Sequence, residues 1–208
     1  MKNKAAVIST GLCLLPIALS VLLYNDLPDQ IAVHFDNAGN PDNYLPKALA
    51  ASGLPLLLAA INLYSHFRVT ADPKVKNSAA SLRILAKWLV PVASLIIMPV
   101  TLFMAMGKNM PIVMIATAMA GLAVAISGNY LPKCKRNYTI GIKLPWTLDD
   151  EENWNHTHRF SGFVWAAGGI LIIIGAFLEI PYLTIAVAAC LIVTPVVYSY
   201  LFSLRHSD

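Results

Sequence analysis

The chain is short of charge. Only 12% of its 208 residues are Asp, Glu, Lys or Arg, while 57% are hydrophobic. Soluble domains carry about 25% charged residues, so this stock does not cover a water-facing surface and lipid is the alternative solvent. Cysteine is scarce as well. Cys13, Cys134 and Cys190 are odd in number and scattered, which gives neither a disulfide framework nor a metal-ligand spacing; they read as small apolar filler. Catalytic signatures are missing too. There is no HExxH or ExxH, and no serine sits in GxSxG. His156 and His158 are two apart, so on a helix they point to nearly opposite sides and do not share an ion. The apolar runs hold no clear acidic or basic residue of the kind that pumps and coupled transporters use. No metal or cofactor is expected, and an enzyme is the less favoured class.

What is present is six uncharged stretches of membrane-crossing length, at residues 5–24, 48–67, 88–107, 109–132, 160–178 and 180–204. About 20 apolar residues in a helix cross the ~30 Å hydrocarbon core. Backbone groups in lipid must bond internally, and stretches such as ASGLPLLLAAINLY and GILIIIGAFL do not alternate as barrel strands do. The expectation is an all-α, multi-pass membrane protein of six helices over residues 1–208. With the N-terminus inside, the outer connections carry only Lys47 and Lys108 of the 15 Lys and Arg. Lys2 and Lys4 then join the inner set, and the asymmetry predicts N-in, C-in. The excess of positive charge (+4) anchors the inner ends near anionic headgroups. No basic stripe on a soluble module points to direct nucleic-acid binding.

Three connections carry more than a turn. Residues 25–47, expected outside, combine an alternating IAVHF with the turn-rich DNAGNPDN, in which Gly39 can take a positive φ; this predicts a small acidic extracellular flap. Residues 69–87, expected inside, place Val75, Ala79, Leu82 and Ala86 at helical spacing beside Lys76, Arg83 and Lys87, and predict an amphipathic surface helix. Residues 133–159 form the largest polar feature. Thr147 is the expected N-cap of a helix whose first turn holds Asp149, Asp150 and Glu151, where the helix dipole favours negative charge. Glu151, Trp154 and His158 fall along roughly one stripe. The pentapeptide NYLPK occurs at 43–47 and again at 129–133, after the first and fourth spans, which is the placement an inverted repeat would give. Nothing else in the two halves aligns. Small residues in the fifth span (Ala166, Gly168, Gly169, Gly175) permit close helix packing, either within the chain or with another copy; the oligomeric state is open.

Residues 128–162, with Asn137-Tyr138, Gly141-Ile142, Pro145-Trp146-Thr147-Leu148, Trp154 and His158-Arg159, are similar to the signature segment of the SdpI family of bacterial immunity proteins. Residues 27–47, LPDQIAVHFDNAGNPDNYLPK, resemble the small extracellular domain of unknown function that accompanies it. Lys143 stands where arginine is expected, keeping the charge and losing the bidentate fork. The resemblance implies a protein of the bacterial plasma membrane that protects against a secreted peptide toxin, and in some members one that holds a cytosolic repressor when toxin-bound. Membrane lipids, a peptide toxin and a cytosolic repressor are the partners it implies. On the cytoplasmic side the candidate partner-binding residues are Arg136, Asn137, Gly141, Lys143, Pro145, Trp146, Thr147, Glu151, Trp154, His158 and Arg159. On the extracellular side they are His34, Asp36, Gly39, Asn40 and Lys47. The alternative is a membrane enzyme, with His158 as base, or a small-molecule transporter using the same cytoplasmic segment.

Overall fold

The computed structural model describes residues 4–36 and 38–205. Lys2, counted above with the inner basic residues, and Asn37 of the turn-rich stretch lie outside the described residues. Among the described residues six helices are long and apolar enough to cross a membrane: Lys4–Leu22, Leu49–Ala71, Ala80–Ala105, Ile112–Lys133, Glu151–Phe177 and Pro181–Arg205. The regular elements are α1 (Lys4–Leu22), β1 (Gln30–Phe35), β2 (Pro41–Pro46), α2 (Leu54–Ala71), α3 (Ala80–Ala105), α4 (Ile112–Tyr130), α5 (Pro145–Asp149), α6 (Glu151–Phe177) and α7 (Pro181–Arg205). A π-helical turn, Leu49–Gly53, leads into α2, and a 3₁₀ turn, Leu131–Lys133, follows α4.

The second connection is built differently from the sequence expectation. Residues 69–87 do not form a separate surface helix. Instead α2 continues to Ala71, a 3₁₀ turn spans Val75–Asn77, and α3 takes over at Ala80. Asp72 precedes a proline, a position that disfavours helical backbone, and its carboxylate accepts the Lys74 N–H at 2.7 Å. The apolar and basic spacing noted between 79 and 87 therefore belongs to the first turns of α3.

The chain divides into two compact units, Met1–Phe67 with Ala86–Ala116, and Arg68–Leu85 with Thr117–Asp208. In the first, β1 and β2 form an antiparallel hairpin. Ile31 pairs with Leu45 and Ala32 with Tyr44, and the register shifts around His34, which faces Asn43. Leu27 and Ile31 are buried in a cluster with Ala50 of the π-helical turn and Leu102 of α3, flanked by Leu19, Val33 and Leu45. The hairpin is thus packed on its own unit rather than hanging in solvent.

Prolines inside helices set much of the polar packing. Proline lacks an N–H and leaves the carbonyl four residues earlier without its helical donor. Pro91 in α3 frees the Lys87 carbonyl. Asn62 of α2 is fully buried, and with its amide turned to meet an acceptor it donates to that carbonyl at 2.9 Å. In the same orientation its oxygen accepts from the Ser9 and Thr10 hydroxyls of α1 at 2.9 and 3.1 Å. Within α1, the Cys13 carbonyl in the turn interrupted by Pro16 accepts from Ser94 of α3 at 2.9 Å.

The second unit repeats this logic. Pro195 in α7 frees the Leu191 carbonyl, and the Trp165 indole N–H of α6 donates to it at 3.0 Å. On its other side α6 meets α4 almost backbone to backbone. A Cβ on Gly128 would fall 2.2 Å from the Ala166 nitrogen, and one on Gly169 would fall 2.4 Å from the Ala125 nitrogen. Gly168 lies against Leu191 and Gly175 against Thr184. The small residues of the fifth span therefore have their partners inside this chain, in α4 and α7.

The two NYLPK copies differ in backbone. Residues 43–46 lie in strand β2, whereas 129–133 end α4 and form its 3₁₀ turn. The pentapeptide does not mark structurally equivalent positions.

Two substitutions test this packing. Gly169→Leu should abolish recovery of monodisperse protein, because no rotamer of the new side chain clears the α4 backbone. Trp165→Phe, which keeps an aromatic side chain but removes the indole N–H and orphans the Leu191 carbonyl, should lower stability by at least about 1 kcal/mol, read as a reduced thermal midpoint in detergent.

Candidate functional site

The polar segment between α4 and α6 holds its shape with side chains rather than with a backbone ladder. Asn137 is fully buried. Its amide nitrogen donates to the Lys135 and Ile140 carbonyls at 3.0 and 2.9 Å, and its oxygen accepts the Thr139 and Ile140 N–H groups at 3.0 and 2.8 Å. One asparagine thereby folds the turn around itself, the use to which turn Asn residues are suited. Arg136 closes the other end by donating to the Leu148 and Asp149 carbonyls at 3.0 and 3.1 Å.

Thr147 is not the N-cap of the long helix. It lies inside the short helix α5, fully buried, where its hydroxyl accepts the Leu144 N–H at 2.9 Å and sits 2.9 Å from the Ile142 carbonyl. Asp150 caps α6 instead, accepting the Glu152 N–H at 2.8 Å. The break falls there because Asp150 takes an extended backbone (φ −115°, ψ 120°), which a short acceptor side chain suits at an N-cap.

Trp154 and His158 form the centre of the segment. Both are inside, at 0% and 1% exposure, and their rings stack with centroids 4.0 Å apart. The Trp154 indole donates to the Cys134 carbonyl at 2.7 Å. The Ile142 N–H donates to His158 Nε2 at 3.0 Å, so that nitrogen presents a lone pair. Nδ1 faces the Trp154 carbonyl at 2.8 Å and carries the ring proton. The imidazole is therefore held as the neutral Nδ1–H tautomer with both nitrogens engaged. Gly141 makes this possible. Its φ is +123°, and a Cβ there would fall 2.4 Å from His158 Nε2, so both the backbone and the space call for glycine.

Neighbouring pieces of the same unit tie the segment down. Asp72 accepts the Tyr138 N–H at 3.0 Å through the oxygen that does not bind Lys74. Asn77 donates to the Arg136 carbonyl at 2.8 Å, and its own carbonyl accepts the Lys135 N–H at 2.9 Å. The Ala79 N–H points at the Cys134 sulfur, 3.3 Å away, and burial pushes the Cys134 thiol above its ordinary pKa. From α7, Ser199 receives the Trp146 indole N–H at 2.9 Å and the Asn153 amide at 3.0 Å; the Thr157 hydroxyl completes the chain on Asn153 at 2.9 Å.

The candidate cytoplasmic residues thus separate into two groups. Arg136, Asn137, Gly141, Trp146, Thr147, Trp154 and His158 shape the segment, with Arg136 half-buried. Lys143, Pro145, Glu151 and Arg159 are exposed. The stripe of Glu151, Trp154 and His158 splits because Glu151 is the first residue of α6 and faces out. Asp72, Asn77, Asn153, Thr157 and Ser199 were not among the candidates. The bonds by which Asp72, Asn77, Asn153 and Ser199 hold the segment span 46 or more residues, and a polar residue beside an apolar run carries no other signal. Among the described residues, no three or more His, Cys, Asp and Glu side chains gather as a metal site would require.

The candidate flap residues serve the hairpin. Asp36 accepts the Ala38 and Asn40 N–H groups at 2.9 and 2.8 Å and the Asn40 amide at 3.0 Å, and these bonds, Asn40 first, hold its carboxyl below the usual range. Gly39 supplies the positive φ of +85° that closes the turn. Lys47 donates to the Leu27 carbonyl at 3.0 Å and lies over the Tyr24 ring at 4.8 Å, pinning the hairpin to the end of α1. His34 and Asp42 remain exposed and pair at 2.6 Å.

Two outcomes follow from these contacts. Gly141→Ala should force apart the Ile142–His158 bond, lower stability by about 2 kcal/mol and speed maleimide labelling of Cys134, followed by mass spectrometry; in the parent protein that labelling should stay slow until the pH exceeds the ordinary thiol range. In the hairpin, the depressed Asp36 pKa means the turn is fully closed at neutral pH. It loosens only as pH falls below the ordinary carboxylate range, observable as loss of the chemical-shift dispersion of the Gly39 and Asn40 amides.

Comparison with known proteins agrees with this division of the chain. The SdpI/YfhL protein family matches residues 133–199, covering the tied segment with α6 and most of α7, and a domain of unknown function, DUF1648, matches residues 11–59, covering the hairpin. Immunity protein SdpI of Bacillus subtilis (strain 168) is 27% identical over 203 residues, 98% of this chain and 96% of that protein. No solved structure matches. Six apolar helices and this kinship make the chain a multi-pass bacterial membrane protein. With a DUF1648 match over the hairpin, an SdpI/YfhL match over the Asn137–Trp154–His158 segment and an alignment over nearly the whole chain, this protein is similar to the SdpI proteins in both of its polar features.

Proposed function

We propose that this protein is a membrane immunity protein that protects its bacterium against a secreted antimicrobial peptide toxin. The observation that carries the reading is the alignment with Immunity protein SdpI over 98% of the chain, which includes the hairpin and the tied segment alike. The basic asymmetry favours N-in, C-in, with the hairpin outside and the segment inside.

In this reading the hairpin offers the toxin an ordered acidic surface. Asp29, Gln30, His34, Asp42 and Tyr44 are exposed on it, while Asp36 and Lys47 are used to hold its shape. A cationic or amphipathic peptide is the complementary ligand. The inner segment offers a cytosolic repressor the exposed Lys143, Pro145, Glu151 and Arg159, and the buried residues act only by keeping those groups in place. Relay across the membrane requires a toxin that prefers one of two states of the protein.

The enzymatic alternative relies on His158 as a base. Its two ring nitrogens are engaged by Ile142 and Trp154, which makes it a poor proton acceptor for any substrate. A facilitated transporter would predict solute flux into proteoliposomes.

The deciding experiment is survival of a toxin-sensitive host. Expression of this chain should raise the tolerated toxin concentration at least tenfold, and a double variant Asp42→Lys, Tyr44→Ala should reverse most of that gain while protein level in the membrane stays constant. Lys143→Glu with Arg159→Glu should leave survival intact and abolish only recruitment of a repressor, scored by membrane fractionation. Survival that never exceeds the vector control would refute the immunity reading. For orientation, Lys143→Cys is the better reporter because Cys134 is buried; an impermeant thiol reagent should reach it only in inverted vesicles.

A further inference from the structure

The second connection and the tied segment bring together cations that are far apart in sequence. Lys135 bonds through its backbone N–H to Asn77, whose neighbour is Lys76, and Arg136 receives the Asn77 amide. Lys74 extends over the Tyr138 ring at 5.1 Å from its centroid, and the Tyr138 N–H is fixed on Asp72. Lys76, Lys135 and Tyr138 are exposed, and Lys74 is half-buried against the ring. The local carboxylate, Asp72, is 7% exposed and occupied by two backbone N–H groups, so it does not neutralise the lysines. Among the described residues no ion pair involves Lys74, Lys76 or Lys135.

These groups also sit close to the ends of apolar helices. Lys74 lies three residues beyond the last residue of α2, and Lys135 follows α4 after a single 3₁₀ turn. That depth is where lysine ammonium groups and a tyrosine ring meet phospholipid headgroups. We propose that Lys74 on the Tyr138 ring, with Lys76 and Lys135 on backbone stretches bonded to each other through Asn77, forms a binding site for the phosphate of an anionic phospholipid. The lysines supply three point charges to the phosphodiester, and the half-exposed ring covers the adjoining glycerol. A docked acidic protein or a nucleic acid would not need the cations to be held at the level of the helix ends.

The site is independent of immunity, so its test needs no toxin. Full-length protein in nanodiscs of phosphatidylcholine is titrated with spin-labelled phosphatidylglycerol, and the motionally restricted fraction is compared with that of spin-labelled phosphatidylcholine. The wild type should select the anionic lipid, and each lysine changed to glutamine should lower the selectivity roughly fivefold at low salt. The triple variant Lys74→Gln, Lys76→Gln, Lys135→Gln should bring it close to that of zwitterionic lipid, and the triple arginine variant should retain it. Because these side chains are at the surface, the triple glutamine variant should elute and melt as the wild type does. Three outcomes would overturn the proposal: equal selectivity in wild type and triple glutamine variant, displacement of the lipid by millimolar soluble glycerol phosphate, or lysine-dependent binding of an oligonucleotide or acidic peptide without lipid selectivity. Survival under toxin is scored separately, so loss of lipid selectivity with protection intact leaves the immunity reading standing.

Discussion

A backbone N–H or carbonyl removed from water must find a partner, and in hydrocarbon the helix is the main place to find one. Each proline within a span breaks that arrangement at one carbonyl. At Pro91 and Pro195 the protein answers with a side chain from a neighbouring helix: Asn62 for the Lys87 carbonyl and Trp165 for the Leu191 carbonyl. These polar groups are then held in place by the need they meet. Asn62 reaches α1 and α3 at once, and Trp165 locks α6 to α7. The same requirement explains the fully buried Asn62 in an otherwise apolar helix without appeal to transport or catalysis.

The segment between α4 and α6 meets the constraint in another way. It is irregular, so its peptide groups have no ladder to pair with, and those turned inward need another partner. Asn137, Thr147, Arg136, Trp154 and His158 supply the missing partners. Each bonds backbone at positions 134–149. A histidine in this role must be neutral, since Nε2 has to accept. The glycine at 141 must stay a glycine, since the imidazole occupies the place of its side chain. Such a loop is ordered without being regular.

The hairpin in the other unit reaches order by different means. A turn closed on Asp36 and Gly39, a lysine pinned to two carbonyls and a small apolar cluster hold two strands that alone would be marginal. Both polar features are therefore preorganised surfaces on apolar helices. With both ring nitrogens of His158 held by backbone groups, what these features offer a partner is their exposed side chains. That is the physical content of the immunity proposal, and the lipid site extends it to a partner that every membrane supplies.

Much of this was legible in the sequence. The scarcity of charge, the lengths of the apolar runs and the turn chemistry of DNAGNPDN act locally, through hydration and backbone preference, so they fixed the spans and the hairpin before any contact was known. The α2–α3 connection was misread as a surface helix because helical spacing does not reveal where a helix begins, and Asp72 with Pro73 decided that. Thr147 looked like an N-cap because caps and loop-binding threonines have the same short acceptor. What only the tertiary structure decided is the direction each polar group faces. Trp154 and His158 could have met a partner or the chain's own backbone; they turn inward because Cys134 and Ile142, remote in sequence, bring unpaired peptide groups to them, and burying those unpaired would cost more than giving up two side chains.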